Sequence, residues 1–172
     1  MSRAIDDARV VTKAGKWTVD ASASTAIFAV RNHGKTVEGT VPVRSGSVTF
    51  GPDGQLESVC GEVDLSAIDT GHKRRDKDLR KPGLLDLDAH PYAIFSADEV
   101  SATADGWTVA GTFSARGRET RVEFHADRDR TSLGMVLVAE ATFDRRSLGI
   151  RAPSFMIGKV VTMRLRAPLT RD

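Results

Sequence analysis

Leu133-Gly134-Met135-Val136-Leu137-Val138-Ala139-Glu140-Ala141-Thr142-Phe143 is the stretch that decides the fold of this chain. Leu133, Met135, Leu137, Ala139, Ala141 and Phe143 fall on one parity. A period of two is the strand period, because successive side chains of a strand point to opposite faces. The reading predicts one long strand with a single apolar face.

The same period extends outward in both directions. Val161, Met163, Leu165 and Ala167 share a face near the C-terminus, opposite Thr162, Arg164 and Arg166. Upstream, Trp107, Val109 and Phe113 share a face with Gly111 between them. Val59, Val63 and Leu65 align in 57–65, and Val37, Val41 and Val43 in 36–43. Turn chemistry separates the runs. Gly51-Pro52-Asp53-Gly54 places a proline at a first central turn position. Asp105-Gly106 is a favoured pair for a tight hairpin, and Gly117 lies between Arg116 and Arg118 at another reversal. Eight to ten short strands joined by hairpins, with one apolar face each, predict an all-β sandwich or barrel.

The segment 66–91 breaks the alternation and carries many charges. Asp69 or Thr70 is expected to cap a short helix running to about Leu79, which Pro82 and Gly83 would stop. A long connection inside an all-β domain is more often functional than idle.

A chain of 172 residues suits one domain, expected over 15–170, preceded by a flexible N-terminal arm at 1–14. The net charge of +2 does not point to nucleic acid, which needs clustered charge. Cys60 is the only cysteine, so no internal disulfide forms. With no apolar core of signal-peptide length near the start, the expected location is cytoplasmic. No apolar run reaches the ~20 residues needed to span a bilayer. Stable membrane insertion is therefore not expected, and transient contact with a membrane surface during ligand loading is an open option. Pairing as a homodimer through an exposed edge is an open option.

The ordered motifs of the chain resemble the YceI-like family of polyisoprenoid-binding, or lipid-binding, domains. The resemblance runs from about 16 to 167. It is carried by Trp17-Thr18-Val19-Asp20, Phe28-Ala29-Val30-Arg31-Asn32-His33, Glu38-Gly39-Thr40 and Gly46-Ser47-Val48. Its most specific part is Ala67-Ile68-Asp69-Thr70-Gly71 with Arg75-Asp76, Leu79-Arg80, Asp86, Pro91 and Phe95-Ser96. Gly111-Thr112-Phe113, Gly117, Thr120, Phe143-Asp144-Arg145, Leu148-Gly149-Ile150 and Ile157-Gly158 complete it. Ala23 and Asp78 stand where the family often has histidine, and Leu84-Leu85 where it often has an aromatic pair. The resemblance implies an extended eight-stranded antiparallel β-barrel, lipocalin-like, that binds, transports or stores a long-chain isoprenoid lipid. A polyprenyl chain, an isoprenoid quinone or a similar fatty amphiphile would qualify. It implies no catalytic activity and no cofactor besides the lipid.

On parity, the inward, cavity-lining set is Phe28, Val30, Val41, Val63, Phe95, Val109, Phe113, Leu137, Phe143 and Phe155, an apolar lining with no buried charge. Each buried CH₂ contributes about 0.8 kcal/mol, so a hydrocarbon tail needs no polar contact to bind there. For the mouth, the candidates are His33, Arg75 and Arg80. The arginines belong to a run rich in basic residues at 72–81, where a guanidinium can fork onto head-group oxygens. Asp76 is the expected structural partner of Arg75. The histidines show no metal-ligand spacing, so no metal is expected. Cys60, on the parity of Ser58 and Glu62, is expected to face outward. Two other readings stay open. One is an enzyme acting on a lipid-like substrate in the same cavity; it requires an ionisable group deep in the barrel. The other is a filled barrel serving as a stress-linked interaction module, with no cavity above roughly 300 Å³.

Overall fold

The computed structural model describes residues 14–152 and 157–172. The strands are β1 (Gly15–Val19), β2 (Thr25–Asn32), β3 (Lys35–Val41), β4 (Val43–Phe50), β5 (Leu56–Asp64), β6 (Tyr92–Thr103), β7 (Gly106–Ala115), β8 (Arg118–Arg128), β9 (Val136–Asp144) and β10 (Val160–Arg171). One helix, α1 (Lys73–Leu79), lies in the connection from β5 to β6. The arm expected at 1–14 lies almost wholly outside the described residues, as does Phe155.

Every strand pair is antiparallel. The ring β1-β4-β5-β6-β7-β8-β9-β10 closes on itself through β1 and β10, giving an eight-stranded barrel. The other two segments are continuations. β1 and β2 both pair with β10, through Val19↔Leu169 and Ala26↔Leu165, and so form one strand broken by a short turn at Ala21–Ala23. β3 and β4 are likewise one strand broken at Pro42, which lacks the N–H a ladder needs. At the β1/β4 end the ring is continuous. At the other end, here called the upper end, the β2–β3 hairpin extends beyond it.

The free edge of β3 is covered by the β5–β6 connection. Thr40 and Asp69 exchange two main-chain hydrogen bonds, each 2.9 Å long. Gly39 makes this approach fit, since a Cβ there would stand 2.8 Å from Ile68 Cδ1. The upper end is thus walled by β2, β3 and the connection carrying α1.

Three local expectations change. Leu133 is fully solvent-exposed. β9 starts only at Val136, because the Asp129 carboxylate gathers Thr131 N, Ser132 Oγ and Arg166 Nη2 into a turn just before it. The cap of α1 is His72, whose Nδ1 accepts from Arg75 N at 3.2 Å. Asp69 is committed to its own turn, accepting from Gly71 N at 2.8 Å. The β6–β7 hairpin turns on Ala104 and Asp105, with Thr103 paired to Gly106, one residue before the expected pair. The reversal at Arg116 and Gly117 has both residues at positive φ, 58° and 70°, the geometry of the mirror-image turn that suits strand twist.

The buried residues form two groups stacked along the barrel. One centres on Trp17, Phe50, Trp107 and Leu137 at the β1/β4 end. The other centres on Phe113, Phe143, Leu87 and Leu148 toward the upper end. Phe95 and Phe124, 4.9 Å apart in an edge-to-face contact, pack against both.

Candidate functional site

Two cavities lie in the interior among the described residues. The upper one, of about 410 Å³, is roofed by the β5–β6 connection and bounded by Phe28, Val30, Ile68, Leu85, Phe143 and Val161. The lower one, of about 120 Å³, is bounded by Val63, Phe95, Val109, Leu137 and Ala139. The volume of the upper cavity falls in the range of small-molecule sites, and that of the lower one below it.

Of the residues expected inside, Phe28 and Phe113 line both cavities. Val30 and Phe143 line the upper one, and Val63, Phe95, Val109 and Leu137 the lower one. Val41 lines neither. It is packed in the core, 3% exposed, because its strand ends there against Pro42.

Ionisable groups border the upper cavity from two walls. His72, Arg74, Arg75 and Asp78 reach it from α1 and its cap, and Arg116 and Arg145 from the opposite wall. Arg75 thus borders the upper cavity. Its Nε donates to Thr70 Oγ1 at 2.8 Å and its Nη2 to Thr70 O at 2.9 Å. Asp76 accepts from Thr70 N at 3.1 Å, so Arg75 and Asp76 meet the same threonine and not one another as a direct pair. Arg80 does not line the cavity. It turns away to Ser66 O and to Asp88, 2.7 Å distant. His33 does not line it either: with Gly34 it forms the positive-φ tip of the β2–β3 hairpin, and its neighbour Asn32 faces inward in its place.

The largest departure from the sequence reading is a buried charge. Arg145 is 3% exposed. All its described partners are main-chain carbonyls: Gly158 O at 3.0 Å from Nε, Ile150 O at 2.9 Å from Nη1, and Ala152 O at 2.9 Å and Ile157 O at 3.1 Å from Nη2. It ties the turn after β9 to the approach to β10. Arg116 holds the other junction, donating to Leu148 O at 2.9 Å and to Pro82 O. Its Nε is buried with no hydrogen-bond partner among the described residues. The only sequence signal for Arg145 was its place in the Phe143-Asp144-Arg145 motif. Nothing local marked Arg116, whose partners come from the β5–β6 connection and the turn after β9.

Cys60 is a free, exposed thiol on β5. Among the described residues, no cluster of three or more His, Cys, Asp or Glu side chains is arranged to hold a metal ion. No helix among them is long and apolar enough to cross a membrane.

Fold and site together define a closed antiparallel barrel of lipocalin-like type, with an apolar interior cavity opening beneath a basic helix. The family model of the YceI-like domain matches residues 17–169, and the chain belongs to that family. Curated relatives are UPF0312 proteins. One from Yersinia enterocolitica is 36% identical over 55 residues, 32% of this chain and 29% of the relative. One from Pectobacterium atrosepticum is 31% identical over 64 residues, 37% and 33% of the two chains. The matched stretches thus span about a third of those relatives' length.

Among solved structures, BcnA of Burkholderia cenocepacia superposes with a TM-score of 0.77 at 14% identity, over 88% of this chain and 99% of the other. The Campylobacter jejuni YceI protein gives 0.64 at 10%, over 80% and 87%. A polyisoprenoid binding domain from Saccharophagus degradans gives 0.62 at 14%, over 91% and 98%. Identities this low speak for the fold.

Proposed function

We propose that this protein binds and holds a single-chain isoprenoid-type lipid, with the tail in the upper cavity and the polar head at the rim formed by α1 and Arg116. Its role is carriage or storage of the lipid, not its conversion. The observation that carries this reading is the distribution of polarity in the upper cavity. Hydrocarbon lines its body, and four of the six ionisable side chains that border it, His72, Arg74, Arg75 and Asp78, come from α1 and its cap. An amphiphile is sorted by the same two environments: its tail gains by leaving water, and its head keeps polar partners. Phe28, Val30 and Phe143 are the tail contacts in this reading. Arg75 is the head-group residue best prepared, since Thr70 already fixes its guanidinium. A binding domain of the same fold, that from Saccharophagus degradans, is described as polyisoprenoid binding, which favours the isoprenoid class. The basic face of α1 suits brief contact with anionic lipid during loading.

Native mass spectrometry and organic extraction of the purified protein test the reading. A co-purifying lipid, or displacement of a fluorescent prenyl probe by isoprenoid alcohols, is the expected result. A lipid-free protein that also fails to bind the probe would overturn it.

A further inference from the structure

Positive charge is concentrated around the turn after β9. Arg118, Arg145, Arg146, Gly149 and Arg151 border a depression there that is open to solvent. Ile150 and Ala152 border it as well, and together with Arg145 they also border the upper cavity. Arg118 and Arg151 do not border that cavity. The depression is thus beside the lipid site and separate from it in its exposed arginines.

The arginines come from the β7–β8 turn, the turn after β9 and the approach to β10. Gly149, at φ 74°, is where the first two meet. A Cβ on it would stand 2.9 Å from Arg118 Cζ and 2.7 Å from Arg116 Nη1, so two guanidinia lie over one glycine. Arg116 is fixed in that place by Leu148 O and Pro82 O. Arg145 is buried at the same turn, and its described partners are carbonyls, which leave its formal charge uncompensated.

A buried charge is ordinarily paired with an opposite one. The carboxylate at this turn is Asp144, and Arg146 already takes both of its oxygens, at 3.0 and 2.6 Å. Among the described residues, the side chains of Arg118 and Arg151 have no hydrogen bond or ion pair. Arg116, Arg118, Arg145 and Arg151 therefore converge with no carboxylate partner among those residues. Clustered charge of one sign raises the local potential and draws in the opposite ion. Each guanidinium also offers forked N–H donors that match an oxyanion. A phosphate, with its several oxygens and more than one negative charge, answers more than one such fork at once.

We propose that the depression at Gly149 is a phosphate-type anion site outside the lipid cavity. Arg118 and Arg151 grip the anion, and the fixed charges of Arg116 and Arg145 keep its surroundings positive. The phosphate comes either free from solution or as the head group of an anionic bilayer, since both bring the same oxyanion to the same two side chains. The site goes beyond the lipid reading and does not depend on it.

Isothermal titration with inorganic phosphate and diphosphate, at an ionic strength held constant with chloride, tests the free form. Flotation with phosphatidylcholine vesicles, with and without phosphatidylglycerol, tests the head-group form. Wild type should bind at least one of the two. Arg118→Gln and Arg151→Gln should each weaken that binding about tenfold, the loss of one charge-assisted hydrogen bond, and the double variant should abolish it. Arg130→Gln removes the same charge just past the far end of β8 and should bind like wild type. Free anion bound without vesicles supports a soluble phosphate, and phosphatidylglycerol vesicles bound without free anion support a membrane head group. Binding of neither, binding unchanged in the double variant, or an equal loss in Arg130→Gln would overturn the site. Displacement of the prenyl probe should be the same in the double variant as in wild type. A protein that binds phosphate but no prenyl probe would keep the anion site and overturn the lipid reading alone.

Discussion

Gly39 on β3 and Ile68 on the β5–β6 connection touch so closely that a single methyl group would not fit between them, with 2.8 Å from an ideal Cβ to Ile68 Cδ1. This contact lets the connection pair with β3 through Thr40 and Asp69 and so roof the upper cavity. Gly39→Ala should lower stability by about 1–3 kcal/mol, the usual cost of overpacking. It should also speed hydrogen exchange at the Thr40 and Asp69 amides. Unchanged protection at both amides would show that the roof does not depend on this approach.

Arg145 should be among the least replaceable polar residues. Four carbonyls depend on its guanidinium, and a buried acceptor left unpaired costs about 1–3 kcal/mol. Arg145→Ala is expected to destabilise by roughly 3 kcal/mol or more. Arg145→Lys should recover little of this, because one ammonium cannot reproduce the planar fork. Urea unfolding of the two variants measures the difference.

The acid limb of the stability curve should be steep only at low pH. Hydrogen bonds from the Arg146 side chain and amide hold the Asp144 carboxyl down at about 2, against an ordinary 3.8. Asp98, paired with Arg121, is also lowered. Because the folded-state value lies below the unfolded one, the contribution is complete above about 4 and fades as pH falls through about 2. The pair lies at the surface, partly exposed, so added salt should weaken it. Thermal melts of wild type and Asp144→Asn between pH 7 and 2 should converge at the acid end.

The lower cavity should tolerate filling. Ala139 borders it alone and not the upper one. Ala139→Phe places an aromatic ring into this space. Unfolding temperature should stay within a few degrees of wild type, and binding of tails short enough for the upper cavity should persist. Loss of short-chain binding in a stably folded variant would place the tail in the lower cavity instead.

What the amino-acid order determined by itself is the all-β character, most strand positions and the reversal at Arg116-Gly117. These are local. The alternation of apolar side chains and the φ preferences of turn residues act over a few neighbours and do not wait for the rest of the chain. The aromatic and aliphatic residues that line the cavities, such as Phe28, Val63, Phe113 and Leu137, were legible for the same reason. Tertiary structure alone decided which of them share a cavity. It brought Phe28 of β2 against Phe113 of β7, where both border the two cavities. It also chose the polar residues of the mouth. His33 and Arg80 had suitable chemistry, but a hairpin tip and a competing Asp88 turned them away, while Arg116 and Arg145 came inward to carbonyls supplied by distant segments. Parity tells which side of a strand a residue occupies; where the barrel opens, and which charge finds buried partners there, depends on how remote strands and the α1 connection close over one another.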